Sequence, residues 1–98
     1  MKDVYFTLTG TNYYYGSDSL KKGTKVKLIK EPKNEHDKEA IRVELKGLGK
    51  IGYVANSTRT VLGESYSAGR IYDCFGKKTK GKVMAVTPRG VICVLKGK

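Results

Sequence analysis

At 98 residues, 39% of them hydrophobic and with no apolar run of membrane-spanning length, the sequence reads as one small soluble domain over 1–98, which leaves no room for two cores. Twenty Lys and Arg against nine Asp and Glu give a net charge of +11. That balance points to a polyanionic partner, nucleic acid before others, and this is a basic protein first of all.

Val4 to Thr9 (VYFTLT) is rich in β-branched and aromatic residues and predicts the first strand. Gly10 ends it. Tyr13, Tyr14 and Tyr15 follow in a row before Gly16. On extended backbone Tyr13 and Tyr15 face one way and Tyr14 the other. A buried phenol needs a partner for its hydroxyl, so three in succession are not all core. A ring left facing solvent is a platform on which a base stacks; the plain alternative has Tyr14 filling the core and its neighbours shielding a rim. Alternation in TKVKLIK predicts a second strand over 26–29, ended by Pro32. Ala40 to Leu45 alternates again, and Lys50 to Val54 forms a fourth strand, hairpinned to the third through Gly47 and Gly49.

Asn56, Ser57 and Thr58 offer N-cap chemistry to a short helix of two or three turns through RTVLGESYSAG, with Gly69 as its C-cap. Arg70 to Phe75 fits strand or loop. KVMAV and VICVL flank Thr87-Pro88-Arg89-Gly90, a type I turn signal and a second hairpin. The expectation is an all-β fold with minor α: about six short antiparallel strands closed into a small barrel, since closure removes exposed edges.

Catalytic constellations are missing. A lone His, no Cys beside it, no nucleophile motif and no P-loop argue for a non-enzyme with no metal and no cofactor. The N-terminus, MKDVYFTLTG, lacks the apolar stretch of a secretory signal, and two cysteines without paired spacing suit a reducing compartment, so a cytoplasmic location is expected. The stretch EPKNEHDKEAIRV carries the only His and an adjacent Asp at the entry to the third strand. Asn34 is expected to fix the turn, and Glu31-Pro32 to be scaffold. Asp37 is an odd choice in a basic site, because a carboxylate repels phosphate. It accepts either local backbone N–H groups or a donor supplied by a ligand, such as a terminal hydroxyl.

The succession GTNYYYG, LIKEPKNEHDKEAIRV, KIGYV resembles the HIRAN domain family from about Phe6 to Gly69, with E-P-x-N-x-x-D-x-x-A-I-x-V as its specific part. The last segment, SAGRIYD through VICVL, looks like that of short stand-alone bacterial members. The resemblance implies an OB-like six-stranded barrel with one or two short helices. It implies a non-catalytic module that binds single-stranded DNA and captures its 3′-hydroxyl end, in DNA repair or replication-fork processing. It further implies Tyr13 of the Tyr13-Tyr14 pair as the first stacking ring, His36 as the second, Asp37 as the hydroxyl contact and Tyr53 as a phosphate-facing group. Three positions depart from the helicase-borne members: Asn12 replaces a basic residue, His36 a Tyr or Phe, and Asn56 falls near an expected phosphate-binding Lys. Two other readings are an adaptor that docks a helicase or nuclease, and an RNA-binding domain.

Overall fold

In the computed structural model the described residues are 4–10, 20–57, 60–63 and 65–95. Six strands form: β1 (Tyr5–Thr9), β2 (Lys25–Lys30), β3 (Ile41–Leu45), β4 (Gly49–Val54), β5 (Lys78–Thr87) and β6 (Gly90–Leu95). In β2 the lysines Lys25 and Lys27 point outward while Val26 and Leu28 are buried. Two-residue periodicity therefore sorts charge from core directly. All pairings are antiparallel, and the order β1-β4-β3-β2-β5-β6 closes on itself because β6 returns to β1. The expected OB-like six-stranded barrel is the fold observed.

The interior is filled from every strand. Phe6, Leu8, Leu28, Ile41, Val43, Val83 and Cys93 are wholly buried, and each aliphatic or aromatic side chain there contributes about 1.5–3 kcal/mol. Gly52 marks the crossing of β1 and β4. A Cβ at that position would run into the Thr9 carbonyl oxygen and Leu8 Cδ1, so only glycine permits the approach.

Both hairpins form as expected. β3 turns into β4 through residues 46–48, and Pro88-Arg89 link Thr87 to Gly90. The expected helix after the fourth strand does not. Ser57 accepts the N–H groups of Thr60 and Val61, which makes a single turn, and Gly63 then takes φ +55. The chain next runs beside β1, where Tyr66 N donates to the Tyr5 carbonyl and Tyr66 bridges Phe6 in parallel. The helix α1 comes later, at Ala68–Ile71, with Ser67 as its N-cap, so Gly69 lies inside it and is not a C-cap. A 3-10 turn over Tyr72–Cys74 follows, so 70–74 of the segment expected as strand or loop is helical, and Phe75 returns to extended backbone. Ala68 and Ile71 are buried in the same cluster as the strands. Cys93 faces the interior and Cys74 is exposed, both as free thiols, and burial pushes the Cys93 thiol up to about 12. No helix among the described residues is long and apolar enough to cross a membrane.

Candidate functional site

The β2–β3 connection is shaped by one side chain. Asn34 Oδ1 accepts the backbone N–H groups of His36 (2.8 Å) and Asp37 (3.0 Å). The loop base is pinned where Glu31 N donates to the Ala40 carbonyl at 2.8 Å. This Asx-type turn presents His36 to solvent and leaves Asp37 half-buried. Asn34 therefore has the turn-fixing task expected of it.

Asp37 is held from two sides. Its Oδ1 accepts the Glu39 N–H at 2.8 Å, and its Oδ2 accepts from Asn56 Nδ2 at 3.0 Å. Asn56 also donates to Glu39 Oε1 at 3.3 Å, while its Oδ1 accepts the Gly69 N–H at 2.7 Å. The Asn56 amide thus ties the loop to the first turn of α1 with both its ends. Each carboxylate oxygen keeps a lone pair beyond these bonds, so Asp37 is positioned yet still able to accept.

Glu31 sits behind the loop. Its Oε1 accepts from Asn34 Nδ2 (2.9 Å) and from the Tyr53 hydroxyl (2.9 Å), and Oε2 faces Arg42 Nη1 at 3.4 Å. Burial raises its proton affinity, but these donors and the nearby Lys50 ammonium outweigh that, so the carboxyl is held below its ordinary value. Tyr53 is half-buried, and its hydroxyl also accepts from Lys50 Nζ at 3.1 Å.

Together these elements enclose an open groove of about 530 Å³. His36 and Asp37 line it from the loop; Tyr53 and Asn56 line it from β4 and the segment after it. Four of the residues singled out from sequence are therefore brought to one place. The other three, Asn12, Tyr13 and Tyr14, lie outside the described residues. Thr9, Ala55, Ser57 and Thr60 also line the groove and carry no binding signal in sequence; Thr9 arrives there through its pairing with Tyr53. Glu39 was likewise not singled out, although it shares the Asn56 amide with Asp37. No group of three or more His, Cys, Asp and Glu suited to a metal occurs among the described residues. The groove can accept a donor at Asp37 and offer the exposed imidazole of His36 as a stacking surface, with Tyr53 in its wall.

A family model described as the HIRAN domain matches residues 1–78. Among solved structures, the crystal structure of a protein from Lactobacillus plantarum, a structural genomics target, is similar with a TM-score of 0.64. The likeness covers 96% of this chain and 93% of that one at 20% identity, which bears on fold alone. No curated protein matches the sequence.

Proposed function

The chain belongs to the HIRAN domain family, and from that premise we propose that the groove receives the end of a single nucleic-acid strand, with DNA as the polymer and a 3′-hydroxyl as the feature it reads. The family is one of DNA-binding modules, and binding here is non-catalytic, in the service of DNA repair or fork processing, by a single domain spanning 1–98. The observation that carries this reading is Asp37. A protein of charge +11 holds a carboxylate at its groove with two donors, from Glu39 and Asn56. Among nucleic-acid groups, the terminal hydroxyl is a donor that suits such an acceptor, whereas a phosphate there is repelled. His36 stacks the terminal base from the loop side, and Tyr13 is the other stacking ring that the family resemblance implies. The Lys50 ammonium, 3.1 Å from the Tyr53 hydroxyl, draws the adjoining phosphate.

Fluorescence anisotropy with matched oligonucleotides ending in 3′-hydroxyl or 3′-phosphate, as DNA and as RNA, tests the proposal. A hydrogen bond to a charged group contributes about 1.5–3 kcal/mol, so the 3′-hydroxyl DNA is expected to bind about tenfold or more tightly. Asp37→Ala is expected to erase the difference while leaving binding that strengthens as salt falls. Equal affinity for both ends in the wild-type protein would overturn end capture.

A further inference from the structure

A basic surface lies away from the groove. On β2 the outward residues are Lys25, Lys27 and Ile29; on β5 they are Lys78, Lys80 and Lys82. The register places Lys25 opposite Lys82 and Lys27 opposite Lys80, with Lys78 opposite Ile29. Lysines from both strands, with Lys46 from the β3–β4 turn, surround a hollow of about 380 Å³ over Val26 and Gly81. Like charges directly opposite one another destabilise a sheet. Two such pairs side by side are an arrangement that folding does not favour.

The carboxylate in register with Lys27 is Glu44, and its Oε2 is taken by Arg42 Nε at 2.8 Å. Among the described residues no ion pair reaches any of these lysines. β5 stands three strands from β4 in either direction around the ring, so this face and the Tyr53 wall of the groove lie across the barrel from each other.

We infer that the β2–β5 lysine face binds the sugar-phosphate backbone of duplex DNA. The inference is independent of the groove and of what the groove reads. Two features select a duplex. Sites for single strands combine basic groups with rings on which bases stack, and the outward positions of β2 and β5 hold no aromatic residue. A duplex keeps its bases stacked inside and offers phosphate alone. Its charge density also fits. From Lys78 to Lys82 the strand covers about 13 Å at roughly 3.3 Å per residue. A duplex presents about eight negative charges over that length at one per ~1.7 Å of axis. Such contacts carry no sequence information; they position the protein on the helix.

Anisotropy with a labelled blunt duplex whose 3′ ends are phosphorylated, across a salt series, tests the inference on the full chain. The wild-type protein is expected to bind with a steep salt dependence. The double variant K27Q/K80Q should flatten the log–log slope by about 2 and weaken binding by more than about tenfold near 0.1 M salt, at roughly 0.9 in slope per phosphate contact. K25Q/K82Q should act in the same direction. Both variants should melt at a higher temperature than wild type at low salt, because repulsion has been removed, so lost binding will not be lost folding. Their discrimination between 3′-hydroxyl and 3′-phosphate single strands should be unchanged. Absent duplex binding in the wild type, duplex affinity untouched by both double variants, or duplex affinity lost equally in Asp37→Ala would each overturn the assignment. So would binding to anionic phospholipid vesicles in place of duplex. Failure of end capture alone would appear only in the single-strand arm.

Discussion

Glu31 shows how one side chain organises a site it does not enter. It takes hydrogen bonds from Asn34 in its own loop and Tyr53 on β4, and pairs with Arg42 on β3. Three elements therefore converge on one carboxylate, and its proton affinity records the fact. Because its folded-state pKa is depressed, the stabilisation is fully present above the ordinary glutamate value of 4.5 and is lost as pH falls through the lower folded value. Thermal melts of wild type and Glu31→Gln over an acid series should diverge accordingly. The wild type is more stable near neutral pH, and the gap shrinks below about pH 4.5 as the carboxyl protonates. A gap independent of pH would mean that Glu31 acts by packing and neutral hydrogen bonding alone. The sequence showed Glu31 only as loop scaffold before Pro32, since Tyr53 and Arg42 are remote in sequence and meet it only through strand pairing. Asn34 was legible as the turn former, because its partners are two and three residues away.

At the scale of elements, the strands were legible and the helix was not. Each strand carries its own alternation, so β1 to β4 and both hairpins follow from local pattern. Residues 56–69 carry a misleading one. Val61, Leu62 and Tyr66 fall at helical spacing, yet they serve a different surface: Leu62 N donates to Thr7 Oγ1, and Tyr66 runs against β1. Thr7 is wholly buried, and its hydroxyl is satisfied by the Leu62 N–H and the Ser65 hydroxyl, so tertiary demand overrides local propensity. Gly63→Ala separates the two. In a helix the change would stabilise by about 1 kcal/mol. At φ +55, with open space around the added methyl, it should instead destabilise by roughly 1–2 kcal/mol in chemical denaturation, the cost of left-handed backbone with a Cβ. The lysine face was illegible for a related reason. Lys25 and Lys27 stand some fifty residues from Lys80 and Lys82, and a run of lysines in sequence does not say which strand it will lie beside.

For the molecule as a whole, closure of the ring sets what the surface and the interior can each do. Lysines on β2 and β5 are driven outward, and their face lies across the ring from the β1–β4 side that carries Tyr53. The interior is sealed just as thoroughly, and Cys93 is inside it. Thiolate is the species that thiol reagents attack, and a thiol pushed up to about 12 is almost never ionised while it stays buried. Cys74, exposed on the 3-10 turn, has no such protection. In the native protein a maleimide or disulfide reagent should therefore modify Cys74 promptly and leave Cys93 untouched. With Cys74 replaced by Ser, the rate of Cys93 modification should track global opening and rise with urea in step with the unfolding equilibrium. The last strand of the barrel thus carries a chemical clock that starts only when the ring comes apart.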